Sequence, residues 1–431
     1  MKVAIYWYGA EGQSNYQYYQ AKGDDVTIVT TSVSDDYPIP EGAKLIVRED
    51  AYNHLDGFDI VVRSAGIRPY SLKTDGKIWS ATNEFFASCK APIIGVTGTK
   101  GKGTTASLIA SILEAAGKTV HLVGNIGIPP LERLAQIAPD DIVVFELSSF
   151  QLWDIEYSPH IAVVLMIEPD HLNVHANMDE YVNAKAGIVR FQTADDVIIY
   201  HPTNTFSAQI AAEGAGKKLR YAIPDDGAAY VRDDAFYYGE ERICSIDVMQ
   251  IPGMHNIENA CAAITATFAV LNDIWSVEAG LQSFTGLPHR LKFVREVNGV
   301  KYYDDNYSSA PGAAIAAMKS FTEPEVLIMG GYDKGIDFTE LANAIVAQKN
   351  IKRIILMGKT RNKIAESLNQ LGSSSIYEVS DDMTLSVIVQ RARELAESGG
   401  VVIMSPACAS FDMFKNFSER GEQFIQLVGE L

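Results

Sequence analysis

The sequence predicts an α/β protein built on mostly parallel sheets and divided into three domains. Short apolar, β-rich runs alternate with segments of helical period along nearly the whole chain, and such alternation means βαβ units. Length agrees: 431 residues at roughly 150 per domain make about three units, each able to bury its own core.

From the N-terminus, runs at 3–8, 26–30, 45–47 and 60–62 read as strands. The first ends in Gly9-Ala10-Glu11-Gly12 and leads into a helical segment over 14–21. That turn is compatible with a nucleotide-diphosphate site and equally with a plain tight βα turn. A helix over 83–88 followed by Lys90-Ala91-Pro92 marks a boundary, and domains of 1–90, 91–286 and 287–431 are expected. The second series of strands covers 93–96, 120–123, 142–145, 162–167 and 197–200. Short alternating runs with charged turns over 225–251 then predict a small antiparallel excursion. A helix over 256–271 and the turn-rich FTGLP (284–288) precede a third alternating series, with apolar runs at 300–303, 326–329, 354–357 and 401–404.

Composition narrows the class. Pro and Gly are ordinary at 16 and 33 residues and 47% of the chain is hydrophobic, which excludes a disordered or fibrous protein. The longest apolar run, 161–167, is far shorter than the roughly 20 residues a membrane span needs. Cys89, Cys244, Cys261 and Cys408 form no CxxC pair, so reduced thiols and a cytoplasmic location are expected. A net charge of −18 repels phosphate-rich surfaces, so neither nucleic acid nor a membrane is an expected partner.

Against that mean field stands a cationic loop. Residues 92–97 read as a buried strand, Gly98-Thr99-Lys100-Gly101-Lys102-Gly103-Thr104-Thr105 follows, and a helix runs over 107–116. Backbone N–H groups in such a loop converge on phosphate oxygens, the helix dipole favours the anion, and Lys102 adds a point charge. The glycine spacing is shorter than in GxxxxGK[ST], and Gly103 stands where the magnesium-binding hydroxyl would be, which leaves Thr104 as the hydroxyl donor.

Glu146 closes the strand 142–145, and Asp170-His171 follows the run 162–167. Strand ends of open parallel sheets carry catalytic groups, and a carboxylate with an imidazole beside a phosphate loop would supply ligands to magnesium. Each residue alone also has a plainer reading: a strand-end acid, a surface histidine and, for Lys185 in the helical segment 179–189, a solvated helix lysine.

GTKGKGTT (98–105), GNIG (124–127), ELSSFQL (146–152), DHL (170–172), HNIEN (255–259), GLPHR (286–290), GGYDKG (330–335) and SPACASFDMFKNFSERG (405–421) occur in the order found in the Mur ligases. The chain resembles that family over essentially its whole length, and ELSSFQL and the 405–421 segment are similar to its D-glutamate-adding branch. The resemblance implies a Rossmann-like N-terminal domain for the UDP-substrate, a central P-loop-type ATPase domain and a Rossmann-like C-terminal domain for the amino acid. It also implies ATP-dependent joining of D-glutamate to UDP-N-acetylmuramoyl-L-alanine through an acyl phosphate, by a monomer, in cytoplasmic peptidoglycan precursor synthesis. A related Mur-type or folylpolyglutamate-type ligase with another amino acid or acceptor is the alternative.

By the same resemblance, Lys102 holds the β- and γ-phosphates of ATP within a loop of Gly98, Thr99, Lys100, Gly101, Gly103, Thr104 and Thr105. Thr104 and Glu146 bind a first Mg2+ and His171 a second, while Asn125, Ser148 and Gln151 adjoin the reacting groups. Lys185 matches a carbamylated lysine, whose carbamate turns a cation that repels magnesium into an anion that can ligate it. Asn259, Arg290 and Asp305 match nucleotide-contacting positions. Ser309, Lys334, Ser410 and Phe417 match those for D-glutamate, and Ala10 and Glu11 those for the UDP group. Three departures stand out: Tyr307 replaces a family lysine, Met166 replaces an asparagine before the DH pair, and Trp7-Tyr8 stand in place of the cleaner glycine turn. Lys100, Lys102, Arg290 and Lys334 fall in matched motifs, whereas much of the acidic excess lies over 24–36 and 225–241. A chain of net negative charge can therefore still hold small anions.

Overall fold

The apolar runs pair into four sheets. The structure, a computed structural model, describes residues 1–431 apart from 126–128, 225–226, 272 and 380–383. Part of the GNIG segment and the start of 225–251 thus lie outside the described residues. The first sheet holds β1 (Lys2–Tyr6), β2 (Asp25–Thr30), β3 (Lys44–Val47), β4 (Ile60–Arg63) and β5 (Lys77–Ser80), all parallel, in the order β3-β2-β1-β4-β5. The second holds β6 (Ile93–Thr97), β7 (Val120–Gly124), β8 (Ile142–Glu146), β9 (Ile161–Val164), β10 (Val197–Tyr200) and β11 (Lys217–Arg220). It too is parallel, ordered β11-β10-β9-β6-β8-β7.

The antiparallel excursion is present as β12 (Ala229–Arg232), β13 (Ala235–Tyr238) and β14 (Glu241–Ser245). The last sheet holds β15 (Lys292–Val297), β16 (Val300–Asp304), β17 (Glu325–Gly330), β18 (Ile351–Met357), β19 (Tyr377–Val379) and β20 (Val401–Met404). Its order is β15-β16-β20-β17-β18-β19, with β15 and β16 antiparallel and the other pairs parallel. Consecutive residues of the central strands, such as Val143 and Val144, are fully buried. Both faces of these parallel sheets are covered, which is why their strands are continuous apolar runs rather than alternating ones.

Two boundaries differ from the sequence reading. The run 162–167 forms a strand only over Ile161–Val164. Leu165 then donates its N–H to Thr97 O at 2.9 Å and Met166 O accepts from Thr99 N at 2.9 Å, so the chain leaves the sheet to brace the loop after β6. The first helix begins at Ala10, not 14. It packs so closely on the end of β1 that a Cβ at Gly12 would lie 2.4 Å from Trp7 O.

The chain forms two compact units, Met1–Val248 with Ile257–Leu281, and Met249–Asn256 with Gln282–Leu431. Within the first, the helix Ala81–Ser88 shares the core of the second sheet, Phe85 meeting Phe145 edge-on with centroids 5.3 Å apart. Among the described residues no helix is long and apolar enough to cross a membrane, and all four cysteines are free thiols.

Glu325 opens β17 fully buried; Asn350 Nδ2 donates to its Oε1 at 2.8 Å and its Oε2 has no partner among the described residues. Burial pushes its carboxyl up from 4.5 to about 8. Below pH 4.5 both folded and unfolded chains carry the proton. Between there and pH 8 only the folded chain keeps it, so stability falls as pH rises through that window. Glu325→Gln is therefore expected to stabilise the fold at pH 8 by on the order of 3 kcal/mol and by much less at pH 5, read from denaturant unfolding at the two pH values.

Candidate active site

The phosphate loop leaves β6 at Thr97 and re-enters regular structure at Lys102, first residue of the helix Lys102–Ala115. Gly101, just before it, has φ +80°, and a Cβ there would lie 2.4 Å from Asn259 Oδ1. Glycine is thus required twice, by conformation and by the side chain seated against the loop. Lys102 Nζ reaches back over the loop to Thr99 O at 2.9 Å and Gly98 O at 3.2 Å. Thr99 is nearly buried, bonded to Glu168 O and N and to Tyr181 Oη. Lys100 points outward to an exposed ion pair with Glu168 at 3.2 Å. The helix start thus offers its N–H groups, with Lys102 as the loop's own ammonium.

Beside this loop three elements bring acid and base together. Glu146, 5% exposed, ends β8, and its Oε1 accepts from Asn125 Nδ2 at 3.2 Å at the end of β7. Lys185 lies on the buried face of the helix Met178–Arg190, one turn after Tyr181, whose ring is 4.8 Å from its Nζ. It is 1% exposed, so the solvated-lysine reading is overturned. Its Nζ donates to Gly98 O at 2.8 Å and to Thr97 Oγ1 at 3.4 Å. Burial first, and then the neighbouring Lys102, hold its ammonium well below the usual lysine range, against the pull of Asp170 and Glu146. His171 is half-exposed, with φ +54° and Asp170 at 3.6 Å. Gln151 turns back to cap its own loop, accepting from Ser148 N and Oγ at 2.9 Å each.

These donors fit one magnesium. Among the described residues no three His, Cys, Asp or Glu side chains gather as a metal cluster, but magnesium keeps waters and phosphate oxygens and takes only one or two protein ligands. Glu146 with Thr104, in the first helical turn after the loop, answers to that. Lys185 as a plain amine donates to Gly98 O and offers magnesium no oxygen, so a second ion at His171 would need the carboxylate that a carbamate supplies.

Ala10 and Glu11 open the first helix, directly after the turn that follows β1. Glu11 Oε2 accepts from Ala65 N at 2.9 Å, so the first turn of the helix already carries an anion from the chain itself.

In the second unit, Arg290 lies over the Tyr307 ring at 3.8 Å and Tyr307 meets Phe417 edge-on at 5.2 Å. The tyrosine that replaces a family lysine thus stacks an arginine. Asp305 is buried; its carboxylate accepts from Leu291 N, Ser308 Oγ and Ser405 Oγ, and burial pushes it up to about 7. It locks the turn that presents Arg290. Lys334 is exposed, 5.9 Å from the Phe411 ring, while Ser410 is buried and Ser309 exposed.

Sequence reasoning passed over Arg63, Arg420 and His175. Arg420 is fully buried and donates to Asn306 and to the carbonyls of Cys408 and Ala409. His175 stacks on Phe150 at 5.4 Å and bonds Ser149 Oγ at 3.0 Å. The only signal for Arg63 is a cation closing an otherwise apolar strand, IVVR.

The pattern of the Mur ligase middle domain matches residues 96–267, and that of the Mur ligase glutamate ligase domain matches 289–408. The UDP-N-acetylmuramoylalanine–D-glutamate ligase of Clostridium kluyveri is 38% identical over 400 residues, covering 90% of this chain and 86% of its own. The ligase of the same name from Symbiobacterium thermophilum is 42% identical over 351 residues, covering 80% and 76%. Among solved structures, the UDP-N-acetylmuramate–alanine ligase of Thermotoga maritima aligns with a TM-score of 0.62 at 16% identity over 100% of this chain and 99% of its own. Folylpolyglutamate synthase of Mycobacterium tuberculosis aligns at 0.57 and 15% identity over 80% and 94%, and at such identities both speak to the fold alone. Phosphate loop, strand-end acid and these matches define an ATP-dependent ligase that forms C–N bonds. The chain belongs to the Mur ligase family.

Proposed function

We propose that this chain joins D-glutamate to UDP-N-acetylmuramoyl-L-alanine at the expense of ATP, in cytoplasmic peptidoglycan precursor synthesis. The observation that carries the chemistry is the buried Lys185 amine, 2.8 Å from the phosphate loop and flanked by Glu146 and Lys102. The choice of acceptor and amino acid rests on the relatives' names at 38% and 42% identity. The proposed division of labour is 1–90 for the UDP-substrate, through Ala10 and Glu11, 91–286 for ATP, and 287–431 for the amino acid.

A carboxylate cannot acylate an amine at neutral pH without a better leaving group. In this reading the alanyl carboxylate attacks the γ-phosphate of ATP and ADP leaves, and the amine of D-glutamate then displaces phosphate from the acyl phosphate and gives up a proton. The loop N–H groups and Lys102 hold the β- and γ-phosphates, and Asn259, seated against Gly101, fixes the loop's shape. Thr104 and Glu146 would hold magnesium, which would supply positive charge against the transferring phosphoryl group. Asn125 orients Glu146, and Ser148 and Gln151 shape the loop beyond it. A carbamate on Lys185 would leave the amine no longer a cation facing Lys102, and would complete a second magnesium site with His171. Arg290, stacked on Tyr307, is assigned to the nucleotide, and Lys334, Ser309, Ser410 and Phe417 to the glutamate carboxylates.

Purified protein with UDP-N-acetylmuramoyl-L-alanine, ATP, Mg2+ and a panel of amino acids is expected to release phosphate with D-glutamate well above the others. Silence across the panel would overturn the reading, and activity on a folate acceptor instead would move the assignment to the folylpolyglutamate type.

A further inference from the structure

Two arginines five residues apart leave the end of β4 and grip the loops of the candidate active site. Arg63 is fully buried, yet its guanidinium finds a partner on every nitrogen. Nε donates to Asp154 Oδ2 at 2.8 Å, and Nη1 to Ala65 O at 2.8 Å and Ile67 O at 3.0 Å. Nη2 donates to Phe150 O at 3.0 Å and to Asp154 Oδ1. Arg68, half-buried, donates through Nη2 to Val174 O. Val174 N in turn donates to His171 O at 2.9 Å, and the Phe150 ring lies 5.0 Å from the His171 ring. His171 is thus held from two sides, through its main chain by Arg68 and through its ring wall by the residue that Arg63 anchors.

We propose that residues 63–68 form a positioning strap that sets His171 and the 148–154 loop in their working geometry, with Arg68 as the positioning residue for His171. The strap is continuous with the N-terminal turn, since Ala65 N donates to Glu11 Oε2, so the substrate-side turn and the phosphate-side loops share one hydrogen-bonded segment. At its Arg68 end the strap lies outside the core, since Arg68 and the 171–174 turn are partly exposed. Its value is geometric: a shift of about 1 Å in a group beside the reacting atoms costs up to about 10²-fold in rate.

The inference rests on the proposed reaction only for its kinetic arm. In Arg68→Ala, amide hydrogen exchange over 171–177 is expected to accelerate at least about tenfold, while exchange in β6 and β8 stays as in the unmodified protein. In the ligation assay kcat is expected to fall between about 10-fold and 10²-fold with KM for ATP within about twofold. Arg68→Lys, which keeps a donor for Val174 O, is expected to recover most of both. Unchanged exchange at 171–177 would overturn the strap, as would equal loss in the lysine variant together with a lowered melting temperature. Exchange is read on the protein without substrates, so it tests the strap even if the amino-acid panel fails.

Discussion

Replacing Lys102 by alanine is expected to reduce phosphate release by at least about 10³-fold while leaving the melting temperature within a few degrees. The side chain is half-exposed at the start of its helix and bonds to two loop carbonyls, Thr99 O and Gly98 O, at 2.9 and 3.2 Å. Its loss therefore costs charge at the phosphates more than it costs packing. Arginine at this position is expected to restore little, because a planar fork does not replace a compact ammonium in a loop closed by glycines. Phosphate release from the alanine variant at the unmodified rate, measured with saturating ATP, would place the phosphates somewhere other than 98–105.

The second large effect is expected at Lys185. Lys185→Ala should lose most activity and recover part of it when formate or acetate is added. The amine is buried against Gly98 O, and burial together with Lys102 disfavours its charged form. A neutral amine is the form that reacts with carbon dioxide, and the resulting carbamate would bring an anion to a place where an ammonium is poorly tolerated. A free carboxylate diffusing into the space left by the alanine can imitate that anion. Full activity of the alanine variant without any carboxylate would remove the carbamate from the mechanism; loss with no recovery in lysine-free, carboxylate-rich buffer would leave the lysine only a packing role.

Much of the sheet scaffold was legible because buried parallel strands are continuous apolar runs. IIGVT, IVVFE, VVIM and EVLIMG all stand where the runs put them. Four strands escaped notice: KIWS (β5), KKLR (β11), KFVREV (β15) and YEV (β19). Each lies at the edge of its sheet, where charged residues discourage further pairing and so erase the apolar signal. The phosphate loop was legible from glycine, lysine and helix alone. Lys185 was legible only through the family resemblance, since a lone lysine on a helix is solvated by default. The residue that betrays it is Tyr181, which shares its buried face one turn earlier. Arg63 could not be read as a site residue at all, because its partners, Phe150 and Asp154, lie some ninety positions away.

That arginine also bears on how the chain can be cut and recombined. A segment starting at residue 91 would keep Asp154 and the Phe150 carbonyl but lose the guanidinium that bonds them, and a segment ending at 90 would keep Arg63 without its carboxylate partner. Chimaeras that exchange the first ninety residues between relatives therefore inherit a compatibility rule: donor and recipient must agree at Arg63 and Asp154 together, whatever their similarity elsewhere.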